Sequence, residues 1–377
     1  MLNIAVIGYG DRINAIANNL RSTGEVSLVA IADIAAEAVP KRFTQVDFKD
    51  VHFYTSAEEM LENEKLDGVL IGTRCSLHTH YACLVANYNL PLFLEKPVAI
   101  TEKDLHRLES LTHMNEKTVV SFPLRLSHMC SFVKEIVDSG KLGEIAHVQA
   151  YNNVPYGRGY YHLWYRNESE TGGLFLQKST HDLDYICYLL NGLKPVRLAA
   201  MESKQVYKGD KPAGLKCADC AERETCIESD INIRKLGEGR RIGEFCCFAV
   251  DTGNHDSGSV LVEYENGLHV VYSQNFITRK GAGKRGARLI GHKGTLEFDW
   301  QNSTVTVYHH FDNTTEKHTL TDNGNHFGGD DLLCKNFLGV MKGTEKSGSP
   351  LSEGILSAKL CLAAKKSARE HVFVDIK

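Results

Sequence analysis

The chain has 377 residues, a formal net charge of −4 and 42% apolar residues, which is typical of a globular protein large enough for two domains. The small charge and the lack of a basic run give no electrostatic basis for binding nucleic acid or an anionic membrane surface. Met1 leads directly into a strand pattern instead of a signal sequence, and no stretch reaches the roughly 18 apolar residues of a membrane span. We therefore expect a soluble cytoplasmic protein.

The N-terminal stretch has the pattern of a strand, a glycine turn, a helix and a second strand that ends in an acid. Residues 3–7 are a short apolar run typical of a buried parallel strand, Gly8 and Gly10 interrupt it, and residues 13–20 have helical spacing of apolar positions. A glycine turn before a helix lets the backbone approach a pyrophosphate, which the first helical amides and the helix dipole favour. The pattern predicts a βαβ unit that binds a dinucleotide.

Asp33 lies roughly 20 residues beyond this turn, where a carboxylate can accept hydrogen bonds from ribose hydroxyls and would repel a 2′-phosphate. We therefore expect NAD as the cofactor, with NADP less favoured. Asp11 and Arg12 at the helix start are further candidates for cofactor contact. Ile13 stands where a third glycine would let helix and strand pack closely, so an ordinary βα turn is the alternative.

Strand and helix patterns alternate over the following 90 or so residues, which predicts a doubly wound parallel sheet. Ser56 and Thr101 are predicted helix N-caps. Ligands of such sheets bind beyond the carboxyl ends of the strands. The strand ends expected at this edge are Gly8, Asp33, Thr73 and Glu95.

Beyond Phe122-Pro123 the sequence alternates apolar and polar residues, the pattern of antiparallel strands with one covered face. Strands are predicted over 145–152, 196–207, 257–264, 269–276, 288–290, 295–299, 305–309 and 317–320, and helices over 128–139, 330–341 and 352–369. The predicted fold class is α/β, with an N-terminal Rossmann domain over 1–122. An α+β domain with a large, mostly antiparallel open sheet follows over 123–377.

Three groups of residues occur in a characteristic order. The first is Glu95-Lys96-Pro97 at a strand end, together with residues 73–78 after the preceding strand. The second is Arg125 followed by residues 134–145. The third is Gly172-Gly173 followed by His181 and Asp184. In this order and spacing the chain resembles the glucose-fructose oxidoreductase, inositol dehydrogenase and MocA family over nearly its whole length. The resemblance implies that the nicotinamide lies between the two domains.

The resemblance also implies that Lys96 lies near the nicotinamide and the substrate hydroxyl, and that His181 acts as acid and base. A histidine near its ordinary pKa can take the hydroxyl proton at neutral pH, and an ammonium can stabilise a developing alkoxide. Arg74 and His78 are further candidates for the cofactor site. The alternatives are that Glu95-Lys96-Pro97 is only a strand end at the surface and that His181 has a structural role.

The chain departs from the family pattern four residues before His181, where many members have Asp and this chain has Gln177. A neutral amide cannot hold an imidazolium as a carboxylate would. Lys178 could supply a second cation for an acidic sugar or a ketone, and Asp182 could orient the histidine. Alternatively, Lys178 and Asp182 pair with each other at the surface.

An insertion at about 209–250 is rich in cysteine, charge and glycine. Its thiols could bind a structural zinc that orders a segment with little apolar content. The candidate ligands are Cys217, Cys220, Cys226 and Cys246, with Cys247 as an alternative to the last. An iron-sulfur cluster and free or disulfide-linked thiols are the other possibilities.

The function predicted from these features is NAD-dependent oxidation of a secondary hydroxyl of a sugar, inositol or related polyol, by a homodimer or homotetramer. The alternatives are an NAD-dependent glycoside hydrolase that acts by transient oxidation and elimination, and a non-catalytic NAD-binding protein. An aromatic stretch could form a stacking wall for a sugar ring or could pack within the domain. It consists of Tyr160, Tyr161, His162 and Trp164.

Overall fold

The structure, a computed structural model, describes residues 1–237, 242–321 and 325–376. The chain divides into two compact units, Met1–Ser131 with Asp322–Lys359 and Phe132–Thr321 with Leu360–Lys377. Among the described residues, no helix is long and apolar enough to cross a membrane.

A parallel sheet of six strands forms the centre of the first unit. The strands are β1 (Leu2–Ile7), β2 (Val26–Ala32), β3 (His52–Tyr54), β4 (Gly68–Ile71), β5 (Leu92–Leu94) and β6 (Thr118–Val120). Their order is β3-β2-β1-β4-β5-β6, so the direction of winding reverses between β1 and β4. Strands covered on both faces are apolar throughout, as the four buried residues of β4 show. The predicted doubly wound parallel sheet is confirmed.

The second unit contains a sheet of nine strands that is antiparallel except for one pair. The strands are β7 (Ile145–Asn153), β8 (Pro195–Ser203), β9 (Ser257–Tyr264), β10 (His269–Asn275), β11 (Lys284–Gly291), β12 (Gly294–Asp299), β13 (Thr304–His309), β14 (Thr315–Thr319) and β15 (Val374–Asp375). Their order is β14-β13-β12-β11-β7-β10-β9-β8-β15, with β7 and β10 parallel. Buried and exposed residues alternate along β10, as expected for a sheet with one covered face. The predicted antiparallel sheet is confirmed.

The helices begin where the sequence supplies a capping side chain or a change of pattern. In chain order they are α1 (Asp11–Ser22), α2 (Val39–Arg42), α3 (Ala57–Asn63), α4 (His78–Ala86), α5 (Glu102–Glu109), α6 (Pro123–Leu126), α7 (His128–Asp138), α8 (Gly159–His162), α9 (Glu168–Thr171), α10 (Thr180–Leu189), α11 (Asp230–Lys235), α12 (Gly329–Lys342) and α13 (Leu351–Glu370). The hydroxyl of Ser56 accepts from the amide of Glu59 at 3.2 Å, and that of Thr101 accepts from the amide of Asp104 at 3.1 Å. Both predicted N-caps are confirmed.

Helix α12, from the C-terminal part of the chain, packs on the first sheet. Leu333 and Phe337 are fully buried, and the Phe337 ring meets Phe93 of β5 edge-on with centroids 5.7 Å apart. A Cβ at Gly68 would lie 2.5 Å from the Sδ of Met341 and 3.2 Å from the Cζ of Phe337, so the helix packs closely on β4 at this glycine. The helix therefore contributes to the core of the Rossmann unit.

An ion-pair network joins α12 to α1 and to the end of β5. Two Arg12 nitrogens donate to the Asp330 carboxylate at 2.7 and 2.9 Å, and Arg12 Nε donates to Glu95 at 3.2 Å. Burial would raise the pKa of Asp330, but hydrogen bonds from His326 and Arg12 hold it well below the ordinary value. The ionised carboxylate therefore stabilises the folded state.

Replacing Asp330 by asparagine should lower the free energy of unfolding by about 2 kcal/mol at neutral pH, because charge-assisted hydrogen bonds are lost. The pKa of Asp330 is lower in the folded than in the unfolded protein. Its contribution is therefore complete above the unfolded value of about 4 and is lost as the pH falls below it.

Urea unfolding at a series of pH values measures this difference, which should shrink in acid. Asp331→Asn is the matched control, since this neighbouring carboxylate is exposed and bonds only to Asn19 among the hydrogen bonds described. It should cost less than about 0.5 kcal/mol. A pH-independent effect of Asp330→Asn would contradict the prediction.

Candidate active site

The turn after β1 requires glycine. Gly8 has φ of +78°, and a Cβ there would lie 2.6 Å from Thr73 Cγ2 and 2.8 Å from Thr73 Cα. Gly10 is the N-cap residue of α1 and has no side chain to occupy the amides that follow. Free amides and the dipole at the start of a helix attract an anion. This backbone cradle, at the point where the sheet reverses its winding, fits a diphosphate.

Ile13 is accommodated by a glycine on the neighbouring strand. A Cβ at Gly72, directly after β4, would lie 2.6 Å from the Cβ of Ile13. The close approach of helix and strand that a third glycine in the turn would permit is therefore obtained with Gly72. The departure from the fingerprint at Ile13 leaves the geometry of the turn intact.

Asp33 is held at the end of β2 by two backbone amides. Its Oδ2 accepts from the amide of Tyr9 and its Oδ1 from the amide of Ala35, both at 2.8 Å. These bonds fix the carboxylate beside the glycine turn while its remaining lone pairs stay available as acceptors. The position suits recognition of a ribose diol.

Arg12 and Asp11 differ in their surroundings. The Arg12 guanidinium is engaged by Asp330 and Glu95, and it also donates to Ser121 at 3.3 Å. Asp11 is exposed and forms an ion pair with Arg42 at 3.2 Å. Arg12 therefore links elements of the first unit, whereas Asp11 lies on its surface.

His78 joins two loops at the carboxyl edge of the first sheet. Its Nδ1 lies 2.8 Å from the carbonyl of Pro97, and its Nε2 lies 3.2 Å from the carbonyl of Thr73. Burial lowers the pKa of His78 although the Pro97 carbonyl favours its protonation, so the ring is neutral and donates to one of the two. The half-buried Lys96 precedes Pro97 and follows Glu95, so its backbone is anchored on both sides.

In the second unit, Gln177, Lys178 and His181 lie where two kinds of helix join. Residues Phe175–Ser179 form a π-helical turn that leads directly into α10. Such turns are rare in proteins, and those that occur often lie at functional sites. Gln177 and Lys178 are buried, whereas His181 is partly exposed. A surface pair of Lys178 with Asp182 is excluded because both side chains are buried.

Asp182 is the centre of a buried polar network on the covered face of the second sheet. Its Oδ1 accepts from Arg285 Nε at 2.7 Å, and its Oδ2 accepts from Asn152 at 2.8 Å and from Tyr272 at 2.9 Å. Asp182 is fully buried, and these donors occupy both carboxylate oxygens. The predicted site residues did not include Arg285, Asn152 or Tyr272. The sequence signal that could have identified them is a polar or charged residue at a strand position that the alternating pattern assigns to the covered face.

The aromatic stretch packs within the second unit. Tyr160 and Tyr161 belong to a buried cluster, and the Tyr161 hydroxyl donates to the carbonyl of His255 at 2.7 Å. His162 is fully buried, and Trp164 stacks on Tyr165 with centroids 4.1 Å apart. Of the two interpretations of this stretch, packing within the domain applies to Tyr160, Tyr161 and His162, whose rings are buried, whereas Trp164 is half-buried.

The predicted zinc ligands do not form a metal site. Across residues 1–237, 242–321 and 325–376, no group of three or more His, Cys, Asp or Glu is arranged to hold a metal ion. Cys217 and Cys246 are buried, and burial raises the pKa of both thiols. Cys220 and Cys226 are free thiols as well. The structure therefore does not support a structural zinc.

Ion pairs and apolar packing hold the insertion in place. Glu228 lies 2.9 Å from Arg158 Nε and 3.0 Å from Arg279 Nη2, and its side chain is buried. Tyr207 and Cys247 pack in the same cluster as Tyr161. These contacts provide the stability for which a metal was predicted. Residues 238–241 of the insertion lie outside the described residues.

Two family models match the chain. The model described as the oxidoreductase family with an NAD-binding Rossmann fold matches residues 2–122, and the GFO/IDH/MocA C-terminal domain matches residues 131–297. A curated protein named "Putative oxidoreductase YteT" from Bacillus subtilis is 26% identical, over 90% of this chain and 89% of its own length. Myo-inositol 2-dehydrogenase of Thermotoga maritima is 24% identical over 50% of this chain, which spans about half of that enzyme's length (55%).

Solved structures have the same fold. Myo-inositol 2-dehydrogenase from Lactobacillus plantarum has a TM-score of 0.73 at 20% identity and covers 100% of this chain and 99% of its own. Scyllo-inositol dehydrogenase from Lactobacillus casei, solved with NAD(H) and scyllo-inositol, has a TM-score of 0.72 at 18% identity, with coverage of 100% and 99%. Structural likeness at these identities shows the fold alone. Together with the family models that cover both domains, it establishes that this chain is an oxidoreductase of the GFO/IDH/MocA family.

Proposed function

We propose that this protein is an NAD-dependent dehydrogenase that oxidises a secondary hydroxyl of a sugar, inositol or related polyol. The observation that carries the proposal is the carboxyl edge of the first sheet. There the glycine cradle at Gly8, the fixed carboxylate of Asp33 and the segment of Lys96 held by His78 all belong to one unit. These features support a dinucleotide site and a lysine for the alkoxide at the same edge of the sheet.

The residues of this edge fit the dinucleotide. Gly8 and the amides at the start of α1 would hold the diphosphate, and Asp33 would accept from the ribose hydroxyls. When bound, the nicotinamide supplies the acceptor for the hydride. The negative charge of Asp33 favours NAD over NADP, because a 2′-phosphate would meet a carboxylate already fixed by Tyr9 and Ala35.

The chain's own residues would manage the proton. As the hydride leaves carbon, the hydroxyl must lose a proton and a carbonyl forms. We assign His181 as the group that takes this proton and Lys96 as the cation that stabilises the developing alkoxide. Support for a polyol as substrate comes from relatives named for inositol and from the scyllo-inositol in the Lactobacillus casei structure.

The test is formation of NADH by the purified full-length protein with a panel of inositols, aldoses and other polyols. Turnover of at least one of them is the expected result. Release of aglycone from chromogenic glycosides without net NADH would instead show a glycoside hydrolase. Binding of NAD with neither reaction would show a non-catalytic protein.

Replacing Asp33 by asparagine should weaken NAD binding about tenfold and narrow the preference for NAD over NADP. The substitution removes the charge that repels a 2′-phosphate and weakens charge-assisted hydrogen bonds to the ribose. Calorimetric titration with each dinucleotide measures both effects. Asp11→Asn is the matched control, because that exposed carboxylate lies in the first turn of α1 and pairs with Arg42. An unchanged ratio of the two affinities in Asp33→Asn would contradict the role of Asp33.

A further inference from the structure

Lys178 has an unusual environment for a lysine. Its side chain is buried, with 5% exposure, and its Nζ donates a hydrogen bond to the phenolic oxygen of Tyr156 and lies 4.8 Å from the ring centroid. Within the described ranges, no carboxylate is within ion-pair distance of this ammonium. A buried charge without a counter-charge is unfavourable. The pair is therefore stable either as two neutral groups or as an ammonium beside a phenolate, and these states share one proton.

The neighbouring charges do not change this conclusion. Arg285 on β11 is a second cation that acts on Lys178, and its charge is met by Asp182 of α10 at 2.7 Å. Burial is the main effect on Lys178 and lowers its pKa, and the charge of Arg285 acts in the same direction. Tyr156 and Asp182 act in the opposite direction, but the pKa of Lys178 stays below its ordinary value. The ring of Tyr160 on α8 lies 6.5 Å from that of Tyr156. The phenol of Tyr156 thus faces two cations, and among the described residues only Arg285 of these two has a carboxylate partner.

Tyr156 is the accessible member of the pair. It lies three residues beyond the end of β7 and is 37% exposed, whereas Lys178 is enclosed. Lys178 lies three residues before His181, so both project from the same helical segment. A solvent-facing phenol backed by a buried ammonium can exchange a proton with a ligand, while the lysine remains inside the fold.

We propose that Tyr156 is a second proton-transfer residue of this enzyme and that Lys178 is the positioning residue that stabilises its phenolate. The inference rests on the proposed function and extends it. In polyol oxidation, the substrate O–H bond breaks and His181 takes the proton, which then passes from His181 to the phenolate oxygen of Tyr156. The C–H electron pair leaves as hydride to the nicotinamide, and the C–O bond becomes a carbonyl. In the reverse direction the Tyr156 phenol returns the proton.

The first test is a pH titration of tyrosinate absorbance in the near ultraviolet with the intact protein. The wild type should contain one phenol that ionises below the ordinary tyrosine value of about 10. Tyr156→Phe should remove this component and Tyr308→Phe should retain it, Tyr308 being a matched control with 38% exposure on β13. Lys178→Met should move the component to higher pH, and Lys178→Arg should restore it. A titration that is the same in Tyr156→Phe and the wild type would overturn the proposal.

The second test is kinetic. Tyr156→Phe should lower kcat about 10²- to 10⁴-fold, the usual contribution of general acid-base catalysis, and should remove one limb of the pH profile while NAD affinity stays the same. An unchanged kcat would overturn the catalytic role. The two proposals fail separately. A wild type that oxidises no polyol would refute the proposed function, whereas the tyrosinate titration would still decide whether Tyr156 and Lys178 share a proton.

Discussion

Replacement of Lys96 by alanine is expected to lower kcat for polyol oxidation about 10³-fold while NAD affinity falls only modestly. The ammonium is proposed to stabilise charge that develops on the substrate oxygen, and loss of one such electrostatic contact costs about 10²- to 10³-fold in rate. The diphosphate and ribose contacts proposed for Gly8 and Asp33 do not involve this side chain. The effect should therefore appear in turnover and not in cofactor binding.

Stopped-flow measurement of NADH formation under single-turnover conditions isolates the chemical step, and calorimetry gives the affinity for NAD. Lys103→Ala is the matched control, since Lys103 is an exposed lysine of α5 in the same unit. It should leave both quantities unchanged. Retained turnover in Lys96→Ala would remove Lys96 from the mechanism.

The substitution Asp182→Ala should lower the free energy of unfolding by about 3–5 kcal/mol, because it leaves a buried guanidinium without its counter-charge. The Arg285 side chain is only 12% exposed and lies 2.7 Å from the carboxylate. Asn152 and Tyr272 would lose an acceptor at the same time. Such unsatisfied buried groups account for the size of the effect.

Urea unfolding of the full-length protein, followed by circular dichroism, measures this loss. Asp312→Ala is the control, because that exposed aspartate of the same unit bonds only locally to Thr314 among the contacts described. The double variant Asp182→Leu/Arg285→Met should recover part of the stability, since it removes both charges together. If Asp182→Ala reduced turnover with a loss of stability below about 1 kcal/mol, Asp182 would act on His181 and not on the fold.

Much of the architecture could be predicted because it depends on local patterns. The apolar runs of the first sheet and the alternating strands of the second follow from which faces are covered. The N-caps at Ser56 and Thr101 depend only on a side-chain hydroxyl that accepts a hydrogen bond from the backbone amide three residues later, so they can be predicted from the local sequence. The sequence did not show which sheet the helix over 330–341 would cover. Amphipathic spacing identifies an apolar face and not its partner.

The candidate site was predictable in part. Gly8 and Asp33 were identifiable because a turn and an acid have a fixed spacing in the chain. The compensation of Ile13 by Gly72 could not be foreseen, since it joins positions 59 residues apart through one close contact. The roles of the aromatic stretch and of the cysteines could not be decided from the sequence for a related reason. The composition of a segment does not reveal whether its side chains meet a ligand, a metal or the core.

The sequence by itself determined the class of both sheets, the glycine turn with its acid and the family to which the chain belongs. These depend on residues close together or at regular intervals, so no knowledge of packing is needed. Only the tertiary structure decided that Lys178 is buried against Tyr156, that Asp182 is paired with Arg285 and that Glu228 anchors the cysteine-rich insertion. Each of these contacts joins side chains from separate elements, and the burial that controls their charge arises only after the sheets and helices have packed.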